Sequence, residues 1–96
     1  MIDVRNHLFK VIIWQFLFMD FEQAKGVNDN VMKLVASARI EKRLSQYRLA
    51  ELTGLSRQAI RMFEKGEINP TFISLLLLVK ALELDLPELV EKSISD

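Results

Sequence analysis

Apolar residues recur at helical spacing through Val31, Leu34, Val35 and Ala38, marking one face of a helix that runs to about Leu44. Asn28, Asp29 and Asn30 precede it as a cluster of capping residues, and the helix is expected to start there. Ser45 caps a second helix, about residues 46–53, whose apolar positions are Leu49, Ala50 and Leu52. Gly54 ends it, because glycine takes the left-handed conformation without a Cβ clash. Ser56 caps a third helix, about residues 57–65, and Gly66 closes that one. Asn69, Pro70 and Thr71 form a turn and a cap before a fourth, about residues 72–82. Pro87 suits the first turn of a fifth, about residues 87–93. No stretch over residues 30–96 alternates with the period of a strand. The predicted class is all-α, with five short helices over residues 30–96 and an apolar N-terminal extension over residues 1–29.

The extension is the less regular part. Residues 8–19 (LFKVIIWQFLFM) are strongly apolar. They are too short for a membrane span of about 20 residues, and Lys10 and Gln15 interrupt them. They lack a small-residue cleavage site, so no secretory signal is read there. Their period fits either a strand or a buried helix, and their β-branched and aromatic content favours the strand. Met19 and Met32 would also make sensible start codons, in which case the arm is upstream translation.

The fourth helix is apolar nearly all round, with Ser74 and Lys80 alone breaking the girdle. Such a helix is expected to be buried on more than one side. The arm, through Phe9, Ile13, Trp14 and Phe16, is expected to cover the extra stripe at Ile73 and Leu77, within one chain or across a dimer.

Charge changes the picture through its distribution. Thirteen basic residues balance thirteen acidic ones. Residues 31–65 nevertheless hold eight basic groups (Lys33, Arg39, Lys42, Arg43, Arg48, Arg57, Arg61, Lys65) against Glu41, Glu51 and Glu64, a surplus of five. Residues 66–96 hold two basic groups against six acidic ones. A cationic middle third is the footprint expected of a phosphate-binding surface. The absence of cysteine excludes disulfides and thiolate zinc sites and fits a cytoplasmic protein. His7 is the only histidine. No metal cluster, cofactor loop or catalytic constellation is recognisable, and neither an enzyme nor a cofactor is expected.

The informative stretch is LSQYRLAELTGLSRQAIRMFEKGEINP, residues 44–70. Ala50 is small enough for two helices to approach, Gly54 makes the turn, and Leu55 tucks beneath it. Ile60 and Phe63 hold the second helix of the pair onto the first. This is helix-turn-helix spacing. At about 100° per residue, Arg57, Gln58, Arg61, Met62 and Lys65 share one side of the third helix, and Ala59, Ile60, Phe63 and Glu64 share the other. Arginine reads guanine bidentately and glutamine reads adenine. Glu64 falls on the buried edge, where a carboxylate needs a partner, and Arg39 is the candidate; the alternative is that Glu64 reaches solvent.

Residues 31–92 resemble the phage-repressor (Cro-like, XRE-type) helix-turn-helix family. The matching residues are Arg39, Leu44-Ser45-Gln46, Leu49-Ala50, Gly54, Ser56-Arg57-Gln58, Ile60, Glu64-Lys65-Gly66, Asn69-Pro70 and Lys80-Ala81-Leu82. The resemblance implies a five-helix, repressor-like DNA-binding domain that binds double-stranded DNA as a two-fold dimer. It implies base reading by Arg57, Gln58 and Arg61, and a phosphate contact at Gln46, where a helix N-terminus favours an anion. Lys65 and Asn69 would hold the DNA backbone, and Arg39 would pair with Glu64. Arg43 and Arg48 are phosphate candidates on charge alone, and Ser56 is foremost a cap. The chain departs from the family at Glu83, where a glycine usually stands. A left-handed glutamate would cost about 1 kcal/mol, so a different turn is expected. Ile73 and Leu77 also stand where the family usually carries polar residues. Dimerisation through the fourth and fifth helices is the family-typical alternative to an arm-covered stripe.

The expected function is a sequence-specific transcriptional regulator, most simply a repressor of a palindromic operator. The alternative is a DNA-binding antitoxin whose arm holds a toxin protein. An interaction module that has lost DNA binding is disfavoured by the intact cationic helix face. No membrane partner is expected.

Overall fold

The computed structural model describes residues 10, 11, 13, 14 and 17–94. Among them five helices follow in order: α1 (Phe21–Glu41), α2 (Gln46–Thr53), α3 (Arg57–Lys65), α4 (Phe72–Ala81) and α5 (Leu86–Ile94). No strand occurs among the described residues. The described residues from 10 to 17 are also helical. This corrects the strand favoured by composition. A strand needs a neighbouring edge for its N–H and C=O groups, and no sheet occurs among the described residues to offer one, whereas a helix satisfies them locally.

The first helix starts seven residues before the Asn28–Asn30 cluster. Asp20 and Gln23 form a capping box: Gln23 N donates to Asp20 Oδ1 at 2.8 Å, and Asp20 N donates to Gln23 Oε1 at 3.0 Å. Residues 29 and 30 both lie inside α1. The asparagines expected to cap it make tertiary bonds instead. Asn28 Nδ2 donates to Asn69 Oδ1 at 3.0 Å, and Asn30 Nδ2 donates to the Ser93 carbonyl at 3.0 Å.

Ser45, Ser56 and Thr71 cap α2, α3 and α4, each accepting the backbone N–H three residues on. Asp85 Oδ1 accepts the Glu88 N–H in the same way before α5. Gly54 and Gly66 end α2 and α3 at φ +77° and +74°. Glu83 does not produce a different turn. It sits at φ +55°, donates its N–H to the Lys80 carbonyl, and lets Leu84 N reach the Val79 carbonyl at 2.9 Å. That is the paired-bond closure that glycine usually permits. Arg43 repeats it after α1 at φ +57°.

The core joins Val31, Met32, Val35 and Ala38 of α1 to Leu49, Ile60, Phe63, Leu78, Val79, Leu82 and Leu89. Leu49, Ile60 and Leu82 are essentially inaccessible. Helix α1 packs along α5, and α2 packs on both α3 and α4. The fourth helix, expected to be covered on more than one side, buries Leu78 and Val79 and leaves Phe72, Ile73, Leu76 and Leu77 exposed. Ile73 is 72 % exposed, so no described residue of the arm covers it. Phe9 and Phe16, assigned to that cover, lie outside the described residues. No helix among the described residues is long and apolar enough to cross a membrane.

Candidate nucleic-acid interface

The turn between α2 and α3 is held by its own side chains. Thr53 Oγ1 donates to the Leu49 carbonyl at 2.8 Å and accepts the Leu55 N–H at 3.2 Å. Ala50 and Leu55 pack against the core from either side of Gly54. Ser56 then opens α3 by accepting the Ala59 N–H at 3.0 Å. Ile60 and Phe63 are buried, and this rotation fixes which residues of α3 face outward. Arg57, Gln58, Arg61 and Lys65 are all exposed. Arg57, Gln58 and Arg61 line one shallow depression together. The result is a surface rich in bidentate donors, presented by a helix whose opposite side is anchored.

Arg39 braces this helix from behind. Its Nε donates to Glu64 Oε2 at 2.7 Å, its Nη2 to Glu64 Oε1 at 2.9 Å, and its Nη1 to the Leu44 carbonyl at 2.8 Å. Both side chains are largely buried, at 14 % and 10 % exposure. Fork-to-fork geometry is the strong form of this interaction, and it ties the end of α1 to the last turn of α3. Gln46, the first residue of α2, joins the group by donating Nε2–H to Glu64 Oε1 at 3.0 Å. One Nε2–H remains available, because a glutamine amide carries two. Among the described residues, every buried side-chain nitrogen and oxygen has a hydrogen-bond partner.

The remaining candidates lie around this centre. Ser56 is engaged as the cap of α3. Arg48 is exposed on α2, with Nη1 3.4 Å from Glu51 Oε1. Arg43 is exposed in the left-handed turn after α1. Asn69 is exposed in the loop after α3, and its Oδ1 accepts from Asn28, which leaves its own amide N–H groups free of that bond. Lys65 ends α3 beside a cleft that also contains Lys33 of α1. Lys33 and Asn28 are additions to the site. Charge counting included Lys33 in the basic third, but only the packing of α1 against α3 brings it to Lys65. No group of three or more histidine, cysteine, aspartate or glutamate side chains suited to a metal ion occurs among the described residues.

A helix-turn-helix family model matches residues 35–89, which span the last third of α1 through the middle of α5. Over 75 residues the chain is 37 % identical to Control protein C.SmaI of Serratia marcescens, covering 78 % of this chain and 82 % of that protein. No solved structure matches the chain.

Proposed function

The chain belongs to the helix-turn-helix family and has a DNA-binding regulatory function; from that premise we propose that it is a sequence-specific, Cro-like transcriptional repressor, acting in the cytoplasm as a homodimer on a palindromic operator. The observation that carries this reading is the outward face of α3. Arg57, Gln58 and Arg61 stand together there, with no ion pair to another described residue, while Ile60 and Phe63 hold the opposite side.

In this reading α3 enters the major groove. Arg57, Gln58 and Arg61 contact base edges, with arginine to guanine and glutamine to adenine as the favoured pairings. Lys65, Asn69, Arg43 and Arg48 hold phosphates. Gln46 and the cap region of Ser56 bring a helix N-terminus to the DNA backbone, where the N–H groups and helix dipole favour an anion. The Arg39–Glu64 pair keeps the reading helix at a fixed angle to α1. Two copies place their α3 helices about 34 Å apart, one turn of duplex, so that the operator is an inverted repeat. The likeness to a protein named a control protein supports a regulatory role.

The test is selection of bound sites from a random duplex library, comparing the wild type with Arg57→Ala/Gln58→Ala. An enriched inverted repeat that the variant fails to enrich is the expected outcome. Absence of enrichment by a folded wild-type protein would overturn the reading. It would favour the antitoxin alternative, in which the exposed apolar arm holds a toxin protein. The exposure of Trp14, Leu17 and Phe18 is the feature that keeps that alternative in view.

A further inference from the structure

The stretch that matches the helix-turn-helix family begins at residue 35, whereas α1 begins at Phe21. Two residues of this earlier part of α1, Lys33 and Asn28, meet the end of α3 and the loop behind it. Lys33 and Asp29 of α1 line one cleft with Glu64 and Lys65 of α3, and the buried Met32 and Phe63 line it with them.

The charges of that cleft are unevenly matched. Glu64 is held by Arg39 at 2.7 Å. Asp29 stands one turn before Lys33, the spacing of a helix ion pair, yet its Oδ2 lies 3.7 Å from Lys25 Nζ on the turn before. Lys33 and Lys65 are exposed and form no ion pair with another described residue. Glu67 follows Gly66 but does not line the cleft. Both carboxylates are therefore engaged while both ammonium groups are open, an arrangement that attracts an anion. The negative end of the α3 dipole accounts for a lysine at position 65. It gives no reason for one at position 33, in the middle of a different helix.

Asn28 acts on the loop. Its Nδ2 donates to Asn69 Oδ1 at 3.0 Å. The oxygen and nitrogen of an amide sit on opposite sides of one planar carbon, so a bond that holds the oxygen inward turns the two N–H donors outward. Asn69 is exposed, and a phosphate accepts hydrogen bonds but donates none. The orientation that Asn28 imposes is the one a phosphate needs.

We propose that the part of α1 before the family-matched stretch forms an added edge of the DNA-backbone contact. Lys33 binds a phosphate beside Lys65, and Asn28 is a positioning residue that keeps the N–H groups of Asn69 turned toward the backbone. The Arg39–Glu64 pair ties α1 to α3, so the two lysines keep one spacing and little freedom is lost on binding. Phosphates carry no base identity, so this edge adds affinity and fixes register without choosing bases. The proposal rests on the phosphate roles of Lys65 and Asn69 in the reading above and extends them to a second helix.

The test titrates the full chain with a short fluorescent duplex of mixed sequence over a series of salt concentrations. Lys33→Gln is expected to lower the slope of log affinity against log salt by about one, as Lys65→Ala does, and Lys33→Arg to retain it. An unchanged slope in Lys33→Gln would overturn the proposal. Asn28→Asp keeps a bond to Asn69 but reverses it, because a carboxylate only accepts and Asn69 must then donate inward. The variant also adds a negative charge, so it is compared in the wild type and in Asn69→Ala. Its loss of affinity is expected to be about tenfold greater when Asn69 is present, the worth of a hydrogen bond to a charged group. Equal losses in the two backgrounds would reduce Asn28→Asp to its charge and overturn the positioning role. A wild type that binds with a slope sensitive to Lys65→Ala but not to Lys33→Gln overturns this proposal alone. A folded wild type that binds no duplex overturns the DNA-binding reading with it.

Discussion

Arg57 and Gln58 occupy the first turn of α3, where side chains lean toward the helix N-terminus. Their replacement by alanine, one at a time, is expected to cost about 1–3 kcal/mol at particular base pairs and little elsewhere. Competition binding against single-base-pair variants of the selected operator checks this; an equal loss on every duplex would assign them to the backbone. Glu83 gives a prediction of stability. It holds a left-handed conformation that costs a β-carbon about 1–2 kcal/mol, against which glycine's extra freedom in the unfolded chain costs less. Its ion pair with Lys42 is long, at 3.4 Å, and exposed. Glu83→Gly is therefore expected to stabilise the domain by about 0.5–1 kcal/mol, read as a higher urea midpoint at unchanged slope. Glu64→Ala works in the opposite direction. It leaves the largely buried guanidinium of Arg39 without its carboxylate and should destabilise by about 3 kcal/mol in the same assay.

At the scale of elements, the caps and turns decide where helices stop, and tertiary bonds decide what happens between. The capping residues before α2, α3 and α4 act as their positions indicate, because a Ser or Thr facing a free helix N-terminus has its best acceptor role there. Asn28 and Asn30 are the same kind of residue, yet they sit mid-helix and bond across to Asn69 and Ser93. The cap that starts α1 is Asp20. Asp20→Ala is expected to cost about 1 kcal/mol and to raise amide hydrogen exchange in the first turn of α1, with α3 unaffected. Protection loss spread over the whole domain would show that the N-terminal turns of α1 unfold together with the core.

For the whole molecule, charge separation matters more than net charge. The surplus of basic groups in residues 31–65 includes Arg57, Arg61 and Lys65, all exposed on α3, so a neutral chain still offers cationic groups there. Binding is expected to weaken steeply with salt, since each neutralised phosphate releases counterions. Lys65→Ala is expected to weaken all duplexes about uniformly and to lower the slope of log affinity against log salt by about one. Measuring affinity over a salt series separates this from a base-reading defect, which would leave the slope alone.

Much of the architecture is legible along the chain. The limits of α2 and α3, the glycine ends at Gly54 and Gly66, and the outward side of α3 all follow from signals within a few residues of one another. Caps, left-handed closures and helical periodicity are local, so spacing alone specifies them. What depends on neighbours far away in sequence is decided only by the tertiary structure. Asn28 meets Asn69 and Lys33 comes beside Lys65 only once α1 has packed on α3 and the loop beyond it. The described arm residues from 10 to 17 are helical although the composition favours a strand, because no strand among the described residues offers an edge to pair with. The apolar girdle of α4 divides into a buried side and an open side according to which helices reach it, since periodicity records that a residue is apolar and packing determines what, if anything, covers it.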